Sequence, residues 1–104
     1  MHLNVNTIIK KTKSAMQNAT YDMVPTPKNR NSRRKFGLSL YEIEDFISKL
    51  EAEDLFQGPI IDRDYPEEEL FVFKKEIISG TVFYVKLKEK NNQIKILSCH
   101  EDEI

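Results

Sequence analysis

Tyr84, Lys86 and His100 are the residues whose types and placement could do chemistry together. They fall within three strand-like runs, Leu70-Phe-Val-Phe-Lys-Lys-Glu76, Val82-Phe-Tyr-Val-Lys-Leu-Lys88 and Ile94-Lys-Ile-Leu-Ser-Cys-His100. A run that served only to fill a core would not need a phenol, an ammonium and an imidazole. An imidazole near its reference pKa of ~6.5 can take or give a proton at neutral pH. An ammonium can neutralise charge that builds on a phosphate, and a phenol can position a hydroxyl or stack on a base. The three together suit metal-free cleavage of RNA. His100 is then the leading acid or base, Lys86 the phosphate clamp and Tyr84 the positioning group. The plain alternative for each is a solvated or half-buried strand residue.

Other reactive groups are scarce. Cys99 is the one cysteine, which excludes an intramolecular disulfide, and with His2 and His100 it cannot supply a zinc site of the usual kind. Neither a metal nor a cofactor is expected. At 104 residues, 39% hydrophobic and 32% charged, the chain fits one small globular domain with a thin core. No apolar run approaches the roughly 18 residues that a membrane span needs, and residues 1–6 do not open like a secretory leader. A cytoplasmic protein without membrane contact is expected.

The elements that must position the three groups can be read from periodicity. An amphipathic helix is expected within residues 1–20, with Val5, Ile8, Ile9, Thr12, Ala15, Met16 and Ala19 on its apolar side. Pro25 and Pro27 force an extended stretch from Tyr21. Lys28 to Lys35 is basic, compatible with a short helix, and ends at Gly37. Ser39 and Glu42 match a capping box, and Leu40, Ile43, Phe46, Ile47 and Leu50 make the apolar stripe of a main helix over 39–50. Residues 51–57 read as a turn or helical tail, and Gly58-Pro59 with Asp62-Arg-Asp-Tyr-Pro66 as a loop. Strands over about 69–75, 81–88 and 93–99, turning at Ser79-Gly80 and Asn91-Asn92, form a three-stranded antiparallel meander within 69–100. The acidic tail from Glu101 is expected to fray. Helices that precede a sheet indicate an α+β fold, with helices packed on one face of a small antiparallel sheet.

The strand spacing poses a problem for the proposed chemistry. With Asn91-Asn92 as a two-residue turn, Leu87 faces Ile96 and Phe83 faces His100. Tyr84 and Lys86 then lie on the opposite face from His100. A three-residue loop, or a bulge near Leu97 to Cys99, would reunite them.

Charge is unevenly spread. Residues 1–38 hold eight Lys or Arg and one acid, Asp22, so the N-terminal part could meet a polyanion or an acidic partner. The run Lys28-Asn-Arg-Asn-Ser-Arg-Arg-Lys35 is its densest part. Lys28, Arg30, Arg33 and Arg34 are candidates for phosphate contact, and a solvated helix face is the equal alternative.

Several strings resemble the MqsR-type toxin family, which lies within the RelE-like group of messenger-RNA interferases. Val24-Pro-Thr-Pro-Lys-Asn29 is similar to its Val-Pro-Arg-x-Lys-Asn element, and Phe36-Gly-Leu-Ser39 to the Leu-Gly-Leu-Thr that opens its main helix. Glu53-Asp-Leu-Phe-Gln-Gly-Pro59 resembles Glu-Asp-Tyr-x-Lys-Gly-Pro. Asp62-Arg-Asp64 and Leu70-Phe-Val-Phe-Lys-Lys-Glu76 resemble Asp-Arg-Asp and Leu-Trp-Val-Phe-Gly-Lys-Glu. Phe83-Tyr-Val-Lys-Leu87 with Ile96-Leu-Ser-Cys-His100 resembles Val-Tyr-Ile-Lys-Leu with Ile-Ser-Phe-His. The resemblance implies a RelE/MqsR-like fold and a ribosome-independent endoribonuclease, the toxin of a type II toxin–antitoxin pair. Such an enzyme cuts single-stranded RNA through the substrate's own 2′-hydroxyl, without metal. It adds Lys75 and Arg63 to the catalytic candidates. It also adds Gln57, at a position where the family carries lysine, as an RNA contact. The implied partners are messenger RNA and a cognate antitoxin; direct DNA binding is expected of the antitoxin and not of this chain. A catalytically inactive RNA- or protein-binding module with the same fold is the alternative.

Overall fold

Three polar side chains start the three helices. The computed structural model describes residues 4–102. Asn4 accepts the Thr7 N–H at 2.8 Å and opens α1 (Val5–Asn18). Thr26 accepts the Asn29 N–H at 3.2 Å and opens α2 (Pro27–Phe36), where Pro27 occupies the first turn and its missing N–H removes no helical bond. Ser39 and Glu42 exchange hydrogen bonds at 3.1 and 3.0 Å and open α3 (Leu40–Ser48). α2 stops at Gly37, whose φ of 63° is the left-handed turn that glycine adopts without a steric cost.

Five strands make one sheet: β1 (Tyr21–Met23), β2 (Leu55–Ile61), β3 (Glu69–Ile78), β4 (Thr81–Lys90) and β5 (Gln93–Glu101). Their order is β1-β5-β4-β3-β2, antiparallel except for the parallel pair β1–β5. The α+β class is as expected, but the sheet has five strands in place of three. The region read as a turn and loop contains β2. Gly58-Pro59 does not break it because β2 is an edge strand, where a proline need not supply a ladder N–H. The extended stretch from Tyr21 is β1. The tail is ordered through Asp102: Glu101 belongs to β5, and the Asp102 N–H donates to the Val82 carbonyl at 2.9 Å. The ends of the expected first helix and of the tail, residues 1–3 and 103–104, lie outside the described residues.

α1 and α3 cover one face of the sheet. Ile8, Ala15 and Met16 from α1 and Ile43, Phe46 and Ile47 from α3 pack on Phe71, Phe73, Phe83, Val85 and Leu87. Phe83 sits edge-on to Phe36 and Phe46, with centroids at 5.8 and 5.9 Å. Each such buried phenylalanine contributes about 1.5–3 kcal/mol of hydrophobic free energy. Side chains alternate across a strand, so Lys74, Tyr84 and Lys86 project from the opposite face. Among the described residues no helix is long and apolar enough to cross a membrane.

Gly58 holds β2 close to β3. Its φ is +134°, and a Cβ there would lie 2.8 Å from the Leu70 carbonyl oxygen and 3.0 Å from the Phe71 Cα. Gly58→Ala is expected to destabilise the fold by about 1–3 kcal/mol, through backbone strain and overlap. Urea unfolding checks this, and an unchanged midpoint would mean that β2 packs more loosely than described.

Candidate active site on the open sheet face

A β-bulge builds the site. From the Asn91-Asn92 turn, β4 and β5 pair in the expected register as far as Leu87 opposite Ile96. The register then shifts: Lys86 pairs with Ser98 and Tyr84 with His100, which leaves Leu97 as the extra residue. The shift turns Ser98 and His100 to the open face and keeps Cys99 in the core. Of the two irregularities that could reunite the three groups, the chain uses the bulge.

Asn29 satisfies the backbone that the bulge disturbs. β1 covers the edge of β5 only as far as Ile96, and α2 takes over beyond it. The Asn29 side chain is 2% exposed. Its carbonyl oxygen accepts the Cys99 N–H at 2.9 Å, while its amide nitrogen donates to the Val24 carbonyl at 2.9 Å and the Leu97 carbonyl at 3.4 Å. One turn later, Ser32 accepts the Glu101 N–H at 3.0 Å. Asn29 is not among the residues that the sequence points to as functional. The signal is an asparagine in the first turn of a helix, a residue type that is a weak helix former and is seldom buried.

The Tyr84 and His100 rings stack nearly parallel, with centroids 5.4 Å apart and planes 13° from each other. His100 Nδ1 lies 2.9 Å from the Glu101 carbonyl oxygen, which can only accept. Nδ1 therefore carries a proton, and in the neutral imidazole Nε2 is the nitrogen that can take one. Tyr84, Lys86, Ser98 and His100 line a groove of about 520 Å³ with Thr26, Pro27, Lys28 and Asp102. Lys86 forms no ion pair among the described residues, so its ammonium is open to the groove. Cys99 is no nucleophile here: burial pushes its thiol up to about 12.

The other sequence candidates divide. Lys28 joins the groove, whereas Arg30, Arg33 and Arg34 line a separate cleft with Gly37, Leu38 and Leu40. Gln57 stands exposed on β2 opposite Val72, in one rank with Lys86 and Ser98 but two strands from Lys86, about 10 Å at ordinary strand spacing. Lys75 is on the wrong face: its ammonium reaches the Lys49 carbonyl at 3.1 Å and Asp54 at 3.2 Å beneath the sheet. The lysine that shares the face is Lys74, opposite Tyr84 and 3.1 Å from Asp102. Period two separates these neighbours: the expected Lys75 lies on the helix-covered face, and Lys74 on the open one.

Arg63 is exposed in the 62–68 loop and does not line the groove. That loop is latched farther along the same face. Lys88, 4% exposed, pairs with Asp62 at 2.8 Å and Glu68 at 2.6 Å, beneath the Tyr65 ring. The hydrogen bonds from Lys88 hold both carboxyls below their ordinary values of 3.8 and 4.5. Burial opposes the Lys88 charge, but hydrogen bonds to Asp62 and Glu68 outweigh it and raise that pKa.

No protein-family model matches this chain, and no curated protein shows significant similarity to it.

Two outcomes test this geometry. Asn29→Ala strands buried polar groups on β5 and is expected to lower stability by roughly 1–3 kcal/mol for each group left unpaired. Asn29→Asp is expected to be no rescue, because a carboxylate cannot donate to the Val24 and Leu97 carbonyls; calorimetry of both variants checks this. The latch stabilises fully above the ordinary carboxyl pKa values, and this is lost as pH falls through the lowered ones. Lys88→Met should therefore be less stable than the native chain near neutral pH, and the gap should narrow progressively as pH falls below the ordinary carboxyl values of 3.8 and 4.5. Thermal unfolding across pH reads it, and a gap that persists unchanged in acid would argue against the latch.

Proposed function

We propose that the groove cleaves single-stranded RNA and that the chain is a RelE/MqsR-like toxin of a type II toxin–antitoxin pair. The observation that carries this reading is the bulge at Leu97, which puts Tyr84, Lys86 and His100 on one face. A strand that only closed a sheet would gain nothing from turning an imidazole toward a phenol and an ammonium.

In this reading His100 Nε2 accepts the proton of a ribose 2′-hydroxyl. The 2′-oxygen attacks the adjacent phosphorus, and the bond from phosphorus to the 5′-oxygen breaks. Lys86 neutralises the phosphorane, and the Tyr84 hydroxyl protonates the departing 5′-oxygen. The products are a 2′,3′-cyclic phosphate and a 5′-hydroxyl. Lys28 contributes positive charge at the groove wall. A cognate antitoxin that restrains the toxin completes the proposal; binding of operator DNA would belong to that partner.

Incubation of the purified protein with single-stranded RNA and a chelator is expected to yield 2′,3′-cyclic phosphate ends, identified by mass spectrometry. His100→Ala is expected to slow cleavage by about 10²–10⁴-fold, and Lys86→Ala by about 10²–10³-fold. RNA retained by the native protein without new ends would favour the binding-module alternative, which the uncharged Gln57 and the Lys74–Asp102 pair support. Cleavage that survives both substitutions would move the active site elsewhere.

A further inference from the structure

β2 carries an irregularity of its own at Phe56, beside Lys74 of the open face. Leu55 pairs with Phe73 and Gln57 with Val72, so Phe56 is an extra residue between them. Leu55 packs on the core, and Phe56 is left 60% exposed. The Lys74 ammonium lies 3.8 Å from the centroid of its ring, a cation–π contact on one side. Lys74 is opposite Tyr84, and its partner Asp102 lines the groove. An unbroken series of contacts thus runs from the groove through Asp102 and Lys74 to an aromatic ring with an open face. Tyr41 is more exposed, at 79%, but stands on α3 against the opposite face of the sheet, with no such connection.

We propose that Phe56 is a stacking platform for an unpaired nucleobase of the RNA strand, next to the nucleotide held in the groove. This rests on the ribonuclease reading for the identity of the ligand. Exposed aromatic rings beside cations are how proteins take hold of single strands, since every base has a π-face to offer and the cation meets the backbone. Phe56 is two strands from Tyr84, about 10 Å at ordinary strand spacing, within reach of a neighbouring nucleotide of an extended chain. Lys74, itself paired with Asp102, steadies the ring from beneath. A duplex is excluded from the platform because its bases are already stacked and paired.

The chain contains no tryptophan, so Phe56→Trp introduces a lone indole reporter. In a His100→Ala background, a short unstructured RNA is expected to quench the indole fluorescence, and the same sequence as a duplex is not. In the native background, Phe56→Leu keeps an apolar side chain without a π-face. It is expected to raise KM by about 5- to 100-fold, the range of aromatic–base stacking, with the loss falling in KM and not in kcat. Quenching without cleavage by the native chain would keep the platform and remove the ribonuclease reading. Cleavage with an unaltered KM in Phe56→Leu, an indole that RNA leaves unquenched, or equal quenching by the duplex would each overturn the platform.

Discussion

The amide of Asn29 is the interaction on which the open face depends. A bulge leaves backbone groups out of register, and a buried N–H or carbonyl without a partner costs on the order of 1–3 kcal/mol. Asn29 supplies an acceptor to Cys99 and donors to Leu97 and Val24 in one planar group; a carboxylate has no donor, and a hydroxyl has a single hydrogen to give. The third contact, to Val24, ties the same amide to the chain leaving β1. The bulge, the start of α2 and the end of β1 are therefore one unit. Thr26 caps the helix that carries Asn29, and Thr26 and Lys28 also form a wall of the groove.

Charge on the open face is arranged in the same local manner. Lys88 is buried and committed to Asp62 and Glu68; Lys74 is half-buried and committed to Asp102. Lys86, between them along β4 and β3, is the lysine of this face that remains open to the groove. Neutralising the flanking cations with nearby carboxylates confines positive charge to a small area. The arginines of α2 form their own cleft beside Gly37 and Leu38, so the basic character of residues 28–35 is divided between two surfaces.

Much of the scaffold was legible from local pattern. The cap residues Ser39 and Glu42, the apolar stripe of α3 and the turns at Ser79-Gly80 and Asn91-Asn92 all act through neighbours a few residues away. β2 was not legible, because Gly58-Pro59 resembles a loop unless one knows that the strand lies at an edge. Lys75 and Lys74 could be told apart only by the face each occupies, and that depends on which alternate residues pack under the helices. The order of the acidic tail depended on Val82 and Lys74, remote in sequence.

The sequence alone determined two of the three helices, three of the strands and the residue types that could move a proton or meet a phosphate, since these follow from periods of 3.6 and two and from side-chain chemistry. It narrowed the register problem to two solutions and could not choose between them. The tertiary structure chose, and in this chain a distant group satisfies the buried backbone beside the bulge. That group, Asn29, lies roughly 70 residues from Cys99 and meets it only after α2 has docked along β5. The phenol, the ammonium and the imidazole share a face for that reason, and the pattern within β4 and β5 does not show it.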